Sequence, residues 1–113
     1  GTIQLDRLSK IEQDVFIGHE SQIASGVSLR ATAIGQNCII GKGTRIVNSI
    51  IWNNVHIGEN CVITDSIICD NVLLRNSVHI CKQSVLCRGV IIGNNIQLKE
   101  HVTIIAANLH TSN

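Results

Sequence analysis

The 113-residue sequence has few charged residues, few aromatic residues and no methionine. Charged residues make up 15% of the chain, and nine basic against eight acidic side chains leave a formal charge of +1. Because no basic stripe is present, the electrostatic footprint that a phosphate backbone requires is missing, and we expect no direct nucleic-acid binding. No apolar run approaches the ~20 residues of a membrane-spanning helix, and no signal-peptide layout opens the chain. We therefore expect a cytosolic protein without a membrane anchor.

The absence of methionine also bears on the extent of the chain. The sequence opens on Gly1-Thr2 in the middle of a repeating pattern and has no initiator methionine. We therefore expect a part of a longer protein. The hydrophobic fraction of 44% is high enough to fill a narrow core, so residues 1–113 are predicted to form one domain.

The cysteines lack the spacing of a disulfide framework or a zinc site. Their number is odd and no C-x-x-C motif occurs, which disfavours both. Cys38 and Cys61 fall at inward positions of the repeat described below, whereas Cys69 and Cys87 share one outward column, one coil apart, and are expected to be reduced in cytosol. The five cysteines are Cys38, Cys61, Cys69, Cys81 and Cys87.

Large aliphatic residues recur every 17 positions, as from Ile17 to Ile34, Ile51 and Ile68, and each interval divides again into steps of about six. In a strand, side chains alternate between faces, so a six-residue step turns two side chains per short strand inward. Each coil can bury these side chains only against its neighbours, which is typical of a solenoid. The sequence predicts an all-β, three-sided parallel β-helix of hexapeptide repeats with coils of 17–18 residues.

The predicted core contains one column of large aliphatic residues on each side of a prism. Stacking of these columns outweighs any other visible stabilising term, at about 1.5–3 kcal/mol for each buried side chain before the entropy of ordering is subtracted. The columns are Ile17, Ile34, Ile51, Ile68 and Leu86 on side one; Ile23, Ile40, Ile57, Leu74 and Ile92 on side two; and Leu29, Ile46, Ile63, Ile80 and Leu98 on side three.

The corner residues agree with this assignment of inward positions, because residues that tolerate positive φ stand three positions after large aliphatic ones. These residues are Gly26, Asn37, Gly43, Asn54, Asn60, Asn71, Gly89 and Asn95. The corner between sides three and one is one residue short in the early coils. The full six-residue step from Ile80 to Leu86 predicts an insertion near residues 82–83.

The two ends of the repeat are less regular. Leu5 and Ile11 continue the steps of six and predict part of an incomplete first coil, with a helix over residues 5–13 as the alternative. Regular coils are predicted from about residue 11 to 104. Residues 105–113 depart from the pattern and are expected to cap the open end or to fray.

One outer face of the prism is apolar. Residues that directly precede the large aliphatic ones must point outward, because on side three they include Lys10, Arg45 and His79. On side one the same phase turns apolar residues outward, and the only two aromatic residues fall on this face. Exposed apolar patches with aromatic anchors are typical of protein interfaces. The predicted interface residues are Phe16, Ile50, Trp52, Ile67, Cys69, Val85 and Cys87.

The histidines are the candidates for catalysis, and they do not converge. Hexapeptide acyltransferases resemble this repeat and use a histidine as general base between trimer subunits, usually beside an inserted loop, and no coil here has such a loop. The β-helical carbonic anhydrases bind zinc through convergent histidines, whereas His56 and His79 fall on different sides. We predict no catalytic, cofactor-binding or metal-binding residue in this chain.

Several stretches are more specific than the repeat itself: Gly35-Gln36-Asn37-Cys38, Ile50-Ile51-Trp52-Asn53-Asn54-Val55, Ser66-Ile67-Ile68-Cys69-Asp70-Asn71, and Ser84-Val85-Leu86 continuing through Val90 to Ile96. Through them, residues 15–104 resemble the β-helix domain of the epsilon subunit of eukaryotic translation initiation factor two-B. In that family an aromatic residue and leucine precede the tryptophan, where this chain has Ile50-Ile51. The gamma subunit has a similar domain without a matching tryptophan and is the close alternative. The resemblance also implies a left-handed helix, which the period alone does not decide.

The resemblance implies a structural and docking role. The parent protein would belong to the guanine nucleotide exchange factor that recharges initiation factor two with GTP, with exchange catalysis in a C-terminal helical domain outside this sequence. This chain would pair with the gamma subunit, contact other subunits of the factor and help to present initiation factor two as substrate. A homodimer of the isolated chain is also open. The alternatives are the β-helix domain of a sugar-nucleotide pyrophosphorylase and a trimeric hexapeptide acyltransferase.

Overall fold

The computed structural model describes residues 1–6, 9–12, 14–105 and 108–109, and in these residues it contains short strands and no helix. No segment among them forms a helix that is long and apolar enough to cross a membrane. The strands are β1 (Gln4–Leu5), β2 (Lys10–Ile11), β3 (Val15–Ile17), β4 (Gln22–Ile23), β5 (Ser28–Arg30), β6 (Thr32–Ile34), β7 (Ile39–Ile40), β8 (Arg45–Val47), β9 (Ile50–Ile51), β10 (His56–Ile57), β11 (Val62–Thr64), β12 (Ile67–Ile68), β13 (Leu73–Leu74), β14 (His79–Ile80), β15 (Val85–Leu86), β16 (Ile91–Ile92), β17 (Gln97–Leu98), β18 (Thr103–Ile104) and β19 (Asn108–Leu109).

The strands form three parallel sheets, one for each side of a prism. Side one contains β3, β6, β9, β12, β15 and β18; side two contains β1, β4, β7, β10, β13, β16 and β19; side three contains β2, β5, β8, β11, β14 and β17. Each strand pairs with the strand three places along the chain, so every coil lies directly on the one before it. The predicted all-β, three-sided solenoid is confirmed, and the molecule measures 37 × 22 × 21 Å.

The strand pairing confirms the coil length and the position of the insertion. Ile63 pairs with Ile80, 17 residues further on, whereas Ile68 pairs with Leu86, 18 residues further on. The additional residue therefore lies in the corner between Ile80 and Leu86. Gln83 has a φ of 60° in this corner, a conformation that turns the chain without lengthening the strands.

The core is the predicted set of aliphatic columns. Every large aliphatic residue of the three columns is buried except Ile17, which is half-buried. Ile17 lies in β3, the first strand of its sheet, so it has a neighbouring strand on one side only. The buried apolar side chains form one continuous cluster from Ile23 to Ile104. Because each coil contacts only its neighbours, stability here is close to a sum over adjacent coils.

The two ends differ from each other. Gln4 pairs with Gln22 and Lys10 pairs with Ser28, so strands lie where the alternative placed a helix over residues 5–13. Residues 7, 8 and 13 lie outside the described part of the chain. At the other end β19 pairs with β16, so strand pairing extends into the stretch that was expected to be a tail. Residues 106–107 and 110–113 lie outside the described residues.

The corners contain the predicted residues and several others. All eight predicted glycine and asparagine positions have positive φ. The sequence did not predict positive φ at eight further residues, all but one of them neither glycine nor asparagine, because the closed coil imposes the turn on whatever residue stands there. These are Asp14, Glu20, Ala31, Asn48, Asp65, Ser77, Gln83 and His101.

Small polar residues form hydrogen-bonded columns inside the corners. Ser66 Oγ donates to the carbonyl oxygens of Thr64 and Cys81 at 2.8 and 3.0 Å, and it accepts the backbone N–H of Ser84 at 3.2 Å. Ser84 Oγ in turn accepts the N–H of Val102 at 3.3 Å. Among the described residues, no buried side-chain nitrogen or oxygen lacks a hydrogen-bond partner. The corner residues therefore complete the backbone pairing that ends with each short strand.

Cys38 occupies one of these hydroxyl positions. Its Sγ donates to the carbonyl of Trp52 at 3.0 Å, as Ser21 Oγ one coil earlier donates to the carbonyl of Gly35 at 2.8 Å. Burial raises the pKa of the Cys38 thiol above its ordinary 9.0, and burial does the same for Cys61. Because the folded state favours the neutral thiols, their contribution to stability is complete below pH 9.0. That contribution is lost as the pH rises through the raised pKa values. Both thiols are therefore structural groups.

We predict that Cys38→Ser changes the free energy of unfolding by less than about 1 kcal/mol, because a hydroxyl can make the same bonds. The comparison variant Cys38→Val should cost about 1–3 kcal/mol, since it leaves the Trp52 carbonyl without its buried donor. Denaturant unfolding followed by circular dichroism measures both values. Equal stability of the serine and valine variants would contradict the hydrogen-bonded role of the thiol.

Candidate docking surface

The outer surface of the sheet on side one carries a continuous apolar column. Ala33 pairs with Ile50, Ile50 with Ile67, and Ile67 with Val85, so these side chains stand directly above one another. Phe16 stands one coil below Ala33 and is 74% exposed. Ile50 and Ile67 are 44% and 38% exposed, which is high for isoleucines in a sheet.

A second column follows the C-terminal ends of the same strands. Trp52 is 50% exposed, while Cys69 and Cys87 are half-buried. Backbone bonds continue the pairing here, from Trp52 N–H to the Ile68 carbonyl at 2.8 Å and from Cys69 N–H to the Leu86 carbonyl at 2.9 Å. We call the two columns the side-one face. It consists of Phe16, Ala33, Ile50, Trp52, Ile67, Cys69, Val85 and Cys87.

The backbone around Trp52 is held on both sides of the indole. The Trp52 carbonyl accepts the Cys38 thiol, and the N–H of Asn53 donates to Asp70 Oδ1 at 2.9 Å. Asn53 Oδ1 accepts the N–H of Gln36 at 2.9 Å. Only the ring of Trp52 projects freely. A fixed backbone with a half-exposed indole has the character of an anchor, since little backbone entropy remains to be lost on binding.

Gly35 permits the close approach of coils beside this anchor. A Cβ added at Gly35 would lie 2.8 Å from the Trp52 carbonyl oxygen and would also press on Asn53 Oδ1. Both contacts are with groups that the hydrogen bonds above already fix. An alanine at this position would therefore displace the Trp52 backbone rather than be accommodated.

We predict that Gly35→Ala costs about 1–3 kcal/mol of stability and shifts the fluorescence emission of Trp52, because overpacking moves the tryptophan backbone. Gly89→Ala is the control, since an added Cβ there meets nothing within 4 Å and only the positive φ of 77° is strained. The control should cost about 1–2 kcal/mol and leave the emission unchanged. Unchanged emission in Gly35→Ala would show that the two coils are not in tight contact.

Polar and charged groups border the side-one face but do not enter its columns. Asp14, Asn48 and Asp65 lie at one edge, where Asn48 Nδ2 donates to Asp65 Oδ1 at 2.9 Å. Open grooves at this edge run between these polar groups and the outward side chains of Ile50 and Ile67. The polar edge and apolar centre match the arrangement of rim and core in protein interfaces.

Side three has the opposite character. Lys10 Nζ lies 3.4 Å from a Glu12 carboxylate oxygen, and Lys82 Nζ lies 3.9 Å from Glu100, with all four side chains exposed. Exposed ion pairs of this kind contribute little stability. Side three is therefore a hydrated surface, and it provides control positions for experiments on side one.

The predicted interface residues all lie on the outer surface of side one, at the positions that the repeat predicts. The structure adds one residue, Ile105, which is 73% exposed and stands one coil above Cys87 in the second column. The signal was available in the sequence, because Ile105 follows Cys87 by the 18 residues that separate Val85 from Thr103. The aliphatic pattern that identifies the columns ends at Ile104, so the repeat alone does not include Ile105.

The described histidines are dispersed and exposed. His56 is in β10 on side two, His79 is in β14 on side three, and His19 and His101 lie at corners, whereas His110 is outside the described residues. No group of three or more histidine, cysteine or acidic side chains in the described part of the chain could hold a metal ion.

Three parallel sheets of two- and three-residue strands, closed around aliphatic columns, define this chain as a hexapeptide-repeat β-helix. The sequence matches the family described as the EIF2B subunit epsilon LbH domain over residues 1–98. The chain therefore belongs to this family, and its helix is of the left-handed type.

Solved structures with the same fold include a hexapeptide transferase family protein and an acetyltransferase domain. A hexapeptide transferase family protein from Anaplasma phagocytophilum has a TM-score of 0.79 at 18% identity, over 92% of this chain and 70% of that one. The acetyltransferase domain of PglB from Neisseria gonorrhoeae has a TM-score of 0.71 at 13% identity, over 89% of this chain and 51% of that one. PerB from Caulobacter crescentus, solved with CoA and GDP-perosamine, has a TM-score of 0.63 at 14% identity, over 93% and 52%.

These likenesses show the fold alone, because the identities are low. The chain spans about half the length of the solved PglB acetyltransferase domain and of PerB. No curated protein sequence matches the chain.

Proposed function

We propose that this chain is the structural and subunit-docking domain of an initiation factor two-B epsilon subunit, and that its side-one face pairs with the gamma subunit. The proposal rests on an apolar face, in a domain of this family, that carries a tryptophan whose backbone is fixed by hydrogen bonds. Trp52, Ile50 and Ile67 are 50%, 44% and 38% exposed, and no charged side chain occurs in the two columns. A partner that covers these side chains removes this apolar area from water.

The proposed role places the chemistry elsewhere in the parent protein. The family is named for a subunit of a guanine nucleotide exchange factor, so we infer that exchange on initiation factor two occurs in a helical domain outside this chain. This domain would position the epsilon subunit against gamma and the other subunits of the factor in the cytosol. The dispersed histidines support a role without catalysis, because general acid–base chemistry requires groups within reach of one substrate atom.

The experiment is a pull-down with the chain as bait and purified gamma subunit or initiation factor two as separate prey. Capture of the gamma subunit supports the proposal, and capture of initiation factor two would add a direct contact with the substrate. Gel filtration and acetyl-CoA binding run alongside. A stable trimer that binds acetyl-CoA and captures neither protein would overturn the proposal in favour of a hexapeptide acyltransferase.

The pyrophosphorylase alternative requires a different observation. A β-helix attached to an active sugar-nucleotide pyrophosphorylase would follow a domain with an intact nucleotide-binding loop and catalytic acids. The sequence upstream of this domain in the parent gene decides this point. An intact set of those residues, with no gamma binding, would remove the docking proposal.

A further inference from the structure

Cys69 and Cys87 form a pair on the side-one face. Ile68 pairs with Leu86 in the parallel sheet, and each cysteine is the next residue of its chain segment. The pairing continues through both positions, since Cys69 N–H donates to the Leu86 carbonyl and Cys87 N–H donates to the Ile104 carbonyl at 2.8 Å. The two cysteines therefore face each other across adjacent coils.

The separation of the pair suits a covalent bond. Residues that face each other on neighbouring strands lie about 4.8 Å apart, within the range of about 4.4–6.8 Å between the Cα atoms of disulfides. Partial burial, and then the charges of Cys87 and Asp70, raise the pKa of Cys69. Both side chains are half-buried, which leaves each accessible to a small oxidant.

We propose that Cys69 and Cys87 are a reversible disulfide site on the outer surface of the helix, oxidised by a low-molecular-weight disulfide such as glutathione disulfide. The thiolate of one cysteine attacks a sulfur of the oxidant, which breaks its S–S bond and releases one glutathione thiolate. The second cysteine, as thiolate, then attacks the protein sulfur of the mixed disulfide and releases the second glutathione. In total, two protein thiols lose two electrons and two protons, and one glutathione disulfide becomes two glutathione thiols.

The parallel geometry makes this bond easy to reduce. Side chains on in-register parallel strands leave their Cβ atoms about as far apart as the strands, whereas relaxed disulfides have Cβ separations of about 3.5–4.5 Å. The bond must draw the two coils slightly together, and strained disulfides are more readily reduced. The other three cysteines cannot join the bond, because Cys38 and Cys61 are buried and Cys81 lies on side three. Cys81 is half-buried like the pair, so it can take up a separate glutathione.

Trp52 provides an optical signal for the reaction. Ile51 pairs with Ile68, so Trp52 stands one coil from Cys69 in the same column, and it is the only tryptophan in the chain. A disulfide in contact with an indole quenches its fluorescence. Formation of the bond should therefore lower the emission of Trp52, and reduction should restore it.

The test is to incubate the reduced Cys81→Ser variant with glutathione disulfide and to follow intact mass, free thiols and Trp52 emission. We expect a monomer that has lost two hydrogen atoms and two free thiols, with quenched emission that dithiothreitol reverses. Trypsin should leave Cys69 and Cys87 on separate peptides joined by the bond, because it cleaves after Arg75 and Lys82.

Variants make the assignment specific. Added to Cys81→Ser, the replacements Cys69→Ser and Cys87→Ser should each leave one glutathione as a stable mixed disulfide, while the wild type should form the same bond and carry at most one further glutathione, on Cys81. Glutathione carried separately on Cys69 and Cys87, covalent dimers through either of them, or four unreacted thiols in Cys81→Ser would each overturn the proposal.

A second experiment, which rests on the proposed function, repeats the oxidation with a bound partner. A gamma subunit seated on the side-one face would cover both sulfur atoms and slow the oxidation. Oxidation of the free chain without protection by gamma would count against the docking proposal alone. Failure of the free chain to form the bond would count against the disulfide site alone.

Discussion

Replacement of Ile51 by alanine should lower the free energy of unfolding by about 2–5 kcal/mol, whereas the same replacement of Ile50 should cost no more than about 1 kcal/mol. The two isoleucines are consecutive residues of β9. Ile51 is 1% exposed within the central stack, and Ile50 is 44% exposed on the outer surface. The pair compares identical chemistry on opposite faces of one strand.

The large cost at Ile51 comes from the cavity that its truncation would leave. Ile34 and Ile68 stand on either side of it in the column, and both belong to paired strands that cannot collapse into the gap. Denaturant unfolding of the two variants, followed by circular dichroism, measures the difference. Equal costs at the two positions would mean that the assigned inward and outward faces are wrong.

The double variant Trp52→Glu with Ile67→Glu should weaken binding of the gamma subunit at least about 100-fold, with little change in stability. Loss of two central contacts of hot-spot quality corresponds to roughly 3 kcal/mol or more, and each tenfold loss of affinity corresponds to about 1.4 kcal/mol. Both side chains are well exposed, so the prism should still fold. Titration calorimetry measures the affinity, and thermal unfolding verifies the fold.

A matched control places the same two charges on side three. His79 and Gln97 pair on neighbouring strands and point away from the side-one face, so His79→Glu with Gln97→Glu should bind gamma as the wild type does. If the isolated chain forms a homodimer through side one, sedimentation should show that only the side-one variant dissociates it. Unchanged affinity of Trp52→Glu with Ile67→Glu would remove the proposed docking surface.

Much of the fold was predictable because one physical requirement repeats in every coil. Steps of six and five residues place Ile40, Ile46 and Ile51 on the three inner walls, and polar residues such as Arg45 then fix the outside. The insertion near Gln83 was also predictable, since it changes the spacing of aliphatic residues that are easy to recognise. Each prediction depended on a pattern that neighbouring coils share.

The features that escaped prediction depend on contacts between specific atoms. Nothing in the spacing indicated that the Cys38 thiol donates to the Trp52 carbonyl, or that Asp70 receives the N–H of Asn53. The positive φ of Ala31 is likewise imposed by coil closure, against the preference of alanine. The outer face was predictable by residue, but the anchoring of Trp52 was visible only once the corner had been built.

Because the register of the strands is constant, the prism can be shortened only by whole coils. Removal of residues 35–51, which is one coil, would join Ile34 to Trp52. Trp52 would then still follow an inward isoleucine, as it now follows Ile51. Every remaining side chain would keep its wall, and the two ends of the prism would approach each other by about 4.8 Å. Removal of a single strand residue would instead turn the inward side chains of that strand outward and the outward ones inward. The fold therefore does not accept a prism that is shorter by a fraction of a coil.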